Sequence, residues 1–231
     1  MIKEELFSQI ERAKDLNSEL KKELQNNLSS DDVTFKTRNL TEEIFVKLRI
    51  CLDKVIFYYL NENNYSVDLS KVYFPISKTL NDFNSVIINY GLQRLDQYYP
   101  KFFNLILSFQ PFSAKENEIL TILQEKGSKE KHKFLVEEKK DANHVRTTFK
   151  SHTGEVSWSK QGVFFGNGVY INGVPINPNT QEPAFIPPTH QLIRHYEIRI
   201  KLADNDIEVS FLCDSLIKLV EEMVNRTVEL V

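Results

Sequence analysis

An α+β fold is predicted by two observations: apolar residues recur at helical spacing through about residue 138 and again after 212, and between those stretches the spacing alternates among turn dipeptides. The expected organisation is a helical bundle over 1–138, a small antiparallel β insert over 139–212 and a closing C-terminal helix over 213–231. The last helix carries Leu216, Leu219, Val220, Met223, Val224 and Val228, an apolar set suited to packing back on the bundle, so one interdependent unit is expected.

In chain order, Ile2, Leu6, Ile10, Ala13, Leu16, Leu20, Leu24 and Leu28 step by three and four and trace one stripe of a long amphipathic helix. Asn39-Leu-Thr-Glu42 has the form of a capping box and predicts the start of a second helix over about Leu40–Leu60. That helix is apolar on nearly every side, as a central helix must be. A short extended piece, Lys71–Ile76, precedes helical stretches around 80–90 and 91–109, where Pro100 either interrupts the second stretch or opens a new helix. Ser113-Ala-Lys-Glu116 repeats the capping box and predicts a helix running through Lys131 to Val136, with Gly127 as its weak point.

Past the charged run Glu137–Asp141 the spacing changes. Val145, Thr147 and Phe149, and then Val156 and Trp158, alternate as strands do. Asn167-Gly168 and Asn172-Gly173 are hairpin signals, and Pro175, Pro178, Pro183, Pro187 and Pro188 predict a loop. Two further strands, Tyr196–Leu202 and Ile207–Phe211, are expected to pair across Ala203–Asp206.

Composition excludes several classes of function. A formal charge of −3 provides no overall basic field for non-specific nucleic-acid binding, so any such site is local. The N-terminal residues lack the apolar core of a signal peptide and no segment has the apolar length of a membrane span, which predicts a cytoplasmic protein without membrane contact. Cys51 and Cys213 lie in apolar surroundings without C-x-x-C spacing and read as core residues rather than a disulfide.

The second helix carries an anomaly. At about 100° per residue, Arg49 and Asp53 face the same way as Phe45, Ile56 and Leu60, while Glu43, Lys47 and Lys54 face the opposite side. Two opposite charges four residues apart therefore occupy a core-facing arc, where they can bond each other. If the later helix is continuous, Lys131 also faces inward and is a partner for Asp53, with His132 beside it as a group that can move a proton near neutral pH. The structural interpretation is an ion-pair network that sets helix register; the functional one is a polar pocket handling a phosphate or a proton.

Four segments in order, Leu48-Arg49-Ile50-Cys51-Leu52-Asp53-Lys54, Phe74-Pro75-Ile76, Phe109-Gln110-Pro111-Phe112 and Glu130-Lys131-His132-Lys133, resemble a family of uncharacterised bacterial proteins with an L-R-x-x-L-D-H helix, an F-P-I segment, a Q-P-Y segment and an I-D-K-H-R helix. That family is similar to HEPN-type helical proteins, many of which are ribonucleases of toxin and defence systems while others bind nucleotides or proteins. The resemblance implies a HEPN-like bundle and a nucleic-acid-linked module of a bacterial stress or anti-phage defence system, acting as a metal-independent RNase. Arg49 and His132 would be its catalytic residues, with Asp53, Lys131 and Lys133 binding or orienting the phosphate. The sequence departs from the family at Lys54, where the first histidine would stand. A lysine is protonated at neutral pH and is no general base unless burial lowers its pKa strongly.

Other signals are weaker. Arg146 and His152 have an RNase-like spacing but lie in strand-like text, and His144, His152, His190 and His195 have no ligand spacing that implies a metal. No phosphate-loop or dinucleotide motif occurs, so no cofactor is expected. Phe57-Tyr58-Tyr59 and Tyr98-Tyr99 read as core or dimer packing. Two functions of different class remain: the nucleic-acid module with RNA or a nucleotide as ligand, and a non-catalytic protein-binding or dimerisation protein, with a homodimer as the expected assembly. An open, positive groove lined by Arg49 and His132 would favour the first; burial of that pair would favour the second.

Overall fold

The computed structural model describes residues 2–26, 33–127, 138–159, 163–202 and 206–231. It is an α+β protein that divides into two compact units, Met1–Lys139 with Ile200–Val231, and Lys140–Arg199.

The helical unit is built on α1 (Ile2–Asn26), α2 (Phe35–Glu62) and α7 (Val209–Val228), which pack on one another. The α1 stripe is buried as its spacing requires: Leu6, Ile10, Ala13, Leu16 and Leu20 are all sealed from solvent. Burying each large side chain of this stripe contributes about 1.5–3 kcal/mol. On α2, Ile44, Phe45, Leu48, Cys51, Leu52, Val55, Ile56 and Leu60 are buried, so the helix is the central one. Its start differs from the sequence expectation: Thr34 is the N-cap and its hydroxyl oxygen accepts the Thr37 amide at 3.2 Å, while Asn39 and Thr41 lie inside the helix. The expected capping box of Asn39 and Glu42 is therefore not the start of the helix, and the Thr41 hydroxyl between them donates to the Thr37 carbonyl.

Between α2 and α7 run a single 3-10 turn (Leu69–Lys71), an extended segment over 72–77, α3 (Leu80–Asn89), α4 (Leu95–Tyr98), α5 (Pro100–Ser108), a second 3-10 turn (Lys115–Glu118) and α6 (Ile119–Lys126). Pro100 opens α5 at its first position, where its missing N–H has no helical partner to lose. Ser113 does not cap the next helical segment, because its hydroxyl donates back to the Leu107 carbonyl at 2.6 Å. The described part of α6 ends at Lys126, with Gly127 as its C-cap, and the continuation expected through Lys131 to Val136 lies outside the described residues.

Residues 207–211 are not a strand. Among the described residues one bridge, Lys201 to Glu208, joins the expected pair, and α7 begins at Val209. Val209, Leu212, Cys213 and Leu216 satisfy the helical spacing and are buried, whereas Phe211, assigned inward by an alternating reading, is 62 % exposed.

The β-rich unit holds β1 (Glu138–Ser151), β2 (Gly154–Ser159), β3 (Tyr170–Ile171), β4 (Val174–Asn177), β5 (Glu182–Pro183) and β6 (Gln191–Leu202), whose last residues, from Ile200, belong to the helical unit. Two three-stranded sheets form, in orders β2-β1-β6 and β3-β4-β5. β1 and β2 are antiparallel with Phe149 opposite Val156 and Thr147 opposite Trp158. Asn172 and Gly173, at φ 50° and 78°, make the two-residue turn between β3 and β4 that their identities predict. Two prolines expected in a loop are in strands: Pro175 lies in β4, where its carbonyl accepts Ala184 N, and Pro183 ends the two-residue β5. Phe149, Trp158, Ile171, Val174 and Ile176 form this unit's own core.

Both cysteines are buried and neither is in a disulfide. Burial pushes the Cys51 thiol up to about 12, and its sulfur lies 3.7 Å from the Leu6 carbonyl oxygen, as expected of an inert core thiol. Among the described residues no helix is long and apolar enough to cross a membrane.

Candidate functional site

The two inward charges of α2 meet a peptide group rather than a ligand. One turn of helix separates Arg49 from Asp53, so Nη2 of the guanidinium reaches Asp53 Oδ1 at 2.9 Å. The same Nη2 donates to the carbonyl of Phe74 at 3.0 Å, and the same Oδ1 accepts the Phe74 amide at 2.9 Å. Donor and acceptor of one peptide residue are thus held by a cation and an anion that also bond each other. Arg49 is 8 % exposed, which makes these charge-assisted bonds strong and their loss costly.

The bracket continues through a residue to which sequence reasoning assigns no role. Gln110 is fully buried, and its Nε2 donates to Pro75 O at 2.8 Å and to Ile106 O at 3.0 Å. Its Oε1 accepts the Ser77 amide at 3.0 Å. Asn117 supports Gln110 from behind, donating from Nδ2 to Gln110 O at 3.2 Å and to Ser108 O at 2.8 Å. The extended segment therefore has the backbone hydrogen bonds of a strand, made to side chains of α2 and of the turn after α5. The signal in the sequence is the pairing of the Phe-Pro-Ile and Gln-Pro-Phe segments, which the fold turns into a physical contact.

A cavity of about 670 Å³ opens beside the bracket, lined by Arg49, Asp53, Lys54, Tyr73, Tyr90 and Gln124, among others. Lys54, expected on the polar side, is half-buried there and forms an ion pair with Glu5 of α1. Burial pushes the Tyr90 hydroxyl above the ordinary tyrosine range, Arg49 partly offsets this, and Asp53 adds to it; the phenol is therefore protonated at neutral pH. Gly127 closes one side of the cavity: a Cβ there would lie 2.7 Å from Leu123 O, 3.1 Å from Arg49 Cβ and 3.2 Å from Phe45 O. Gly127→Ala is expected to destabilise the protein by about 1–3 kcal/mol, read as a lower urea midpoint, because the backbone contacts cannot yield as a flexible side chain would.

Of the residues singled out from sequence, the structure brings Arg49 and Asp53 together, while Lys131, His132 and Lys133 lie outside the described residues. Arg49 and the Phe74 amide both bond Asp53, and the expected contact of Asp53 with Lys131 lies outside the described residues. Arg146 lies in β1 and His152 in the turn after it. His190 bonds Thr189 and the Asn172 carbonyl, and among the described residues no three His, Cys, Asp or Glu side chains gather as a metal site. Tyr59 stacks on Phe102 at 3.6 Å and meets Tyr99 edge-on, so these aromatics are core, whereas Phe57 lines the cavity and Tyr98 is exposed. No protein-family model matches the chain, and neither does any curated protein or solved structure.

Proposed function

We propose that this protein is a non-catalytic binding protein on a HEPN-like helical bundle, in which Arg49 and Asp53 hold the fold and the cavity beside them receives the ligand. The observation that carries this reading is the engagement of both charges with the Phe74 peptide at 2.9–3.0 Å. A catalytic arginine that steadies phosphate charge needs its donors turned toward the substrate. Here Nη2 is committed to a carbonyl and a carboxylate, and the position of the family's first histidine is Lys54, paired with Glu5.

One observation favours the second reading, a metal-independent RNase of a stress or anti-phage defence system: Arg49 lines the cavity and its Nη1 is buried without a hydrogen-bond partner among the described residues. The two readings separate in a cleavage assay on varied RNAs in EDTA, using wild type and His132→Ala, with folding checked by circular dichroism. The expected result is no cleavage by either protein. Cleavage by wild type that disappears in folded His132→Ala would replace the first reading with the second.

A further inference from the structure

Asn-Gly-Val occurs twice in the β-rich unit, at Asn167-Gly168-Val169 and at Asn172-Gly173-Val174. The two copies have the same intrinsic chemistry. An asparagine followed by glycine can lose its side-chain amide, because the glycine nitrogen, with no Cβ beside it, can swing onto the side-chain carbonyl carbon. That nitrogen and that carbon must first come within attacking distance, so the freedom of the local backbone governs the rate.

The fold gives the two copies opposite degrees of freedom. Asn172 and Gly173 make the turn between β3 and β4, both left-handed at φ 50° and 78°, with Ile171 and Val174 paired on either side. His190 Nε2 lies 3.3 Å from the Asn172 carbonyl oxygen, and Asn172 Nδ2 donates to the Gly154 carbonyl at 3.4 Å. The side chain and the peptide that would have to rotate are therefore both held, and attack there requires the end of the hairpin to open. Asn167 is exposed, and neither its side chain nor the Gly168 amide makes a hydrogen bond among the described residues. Glycine stands on both sides of it, and a Cβ added at Gly166 or Gly168 would meet nothing within 4 Å. Rotation on either side of Asn167 is sterically open.

We propose that Asn167 is a site of spontaneous modification, converted through a cyclic imide to aspartate and isoaspartate, and that Asn172 is protected by its hairpin. In the first step the Gly168 nitrogen gives up its proton and bonds to Asn167 Cγ, the Cγ–Nδ2 bond breaks, and ammonia leaves with that proton. Water then opens the ring at one of its two carbonyl carbons. Attack at Cγ breaks the new bond and gives aspartate; attack at the main-chain carbonyl carbon breaks the original peptide bond and gives isoaspartate. Either product carries a negative charge that the amide lacked, in a chain of formal charge −3. Isoaspartate also lengthens the main chain by a methylene ahead of β3, so the protein becomes a mixture of charge forms as it ages.

The full chain, kept at mildly alkaline pH both folded and unfolded in guanidinium chloride, tests the proposal. Electron-transfer fragmentation of its proteolytic fragments separates isoaspartate from aspartate and assigns each to a position. In the unfolded chain the two copies are expected to convert at similar rates, since their sequence neighbours are alike. In the folded protein Asn167 is expected to convert about tenfold or more faster than Asn172, the ratio that an opening cost of about 1.4 kcal/mol at the hairpin imposes. Equal conversion of the two in the folded protein, faster conversion of Asn172, or an unchanged Asn167 over the time in which the unfolded chain converts both would overturn the proposal.

Discussion

Arg49→Ala lowers the stability of the protein by about 3–5 kcal/mol in urea unfolding, an effect far larger than that of an ordinary helix-surface charge. The substitution removes the Nη2 bonds to Phe74 O and to Asp53, and it takes the guanidinium away from the Asp53 carboxylate, whose side chain is 24 % exposed. Part of the loss is the Phe74 carbonyl, which loses its Arg49 donor in a buried site. The double variant Arg49→Met with Asp53→Leu costs less than the sum of the two single substitutions, because the bond between the two charges is counted in both single losses and is removed once. A loss below about 1 kcal/mol for Arg49→Ala would mean that the pair behaves as an exposed ion pair and that the structural reading fails.

Gln110→Ala is the second large effect, about 2–4 kcal/mol, because one truncation strands the Ser77 amide and the Pro75 carbonyl in a fully buried site and also removes a bond to Ile106 O. Gln110→Glu separates the contributions. It keeps an acceptor for the Ser77 amide and loses the donor to both carbonyls, adding a buried carboxylate without a cation. It is therefore expected to be at least as destabilising as alanine. Denaturant midpoints for the two variants, at unchanged slope, check this order.

Much of this arrangement is legible in the sequence, and the remainder is hidden for identifiable reasons. The α1 stripe and the inward direction of Arg49 and Asp53 follow from helical geometry alone. Direction does not name a partner, however. The Phe74 peptide lies 25 residues from Arg49 in sequence, and a backbone group has no side-chain identity by which to announce itself. Gln110 stands out only as part of a short motif, since a buried glutamine with three bonds is spelled the same way as an exposed one. The start of α7 is ambiguous in sequence because Ile207, Val209 and Phe211 alternate while Val209, Leu212, Cys213 and Leu216 also fit a helix, and the longer spacing prevails. The start of α2 is displaced from its expected position because Asn39 and Thr41 are cap-type residues that lie inside the helix, with the Thr41 hydroxyl turned back on the chain.

The side-chain bracket around residues 74–77 also decides where this protein can vary. A strand held by a neighbouring strand is held by backbone groups common to nearly every residue, so either strand can drift in sequence while the bonds persist. Here the partners of Phe74, Pro75 and Ser77 are three particular side chains, Arg49, Asp53 and Gln110, whose donors and acceptors depend on residue type and reach. The burden of heredity thus moves from the extended segment to the residues that grip it, and a lineage that lost one of the three would have to rebuild the contact or surrender the segment's position.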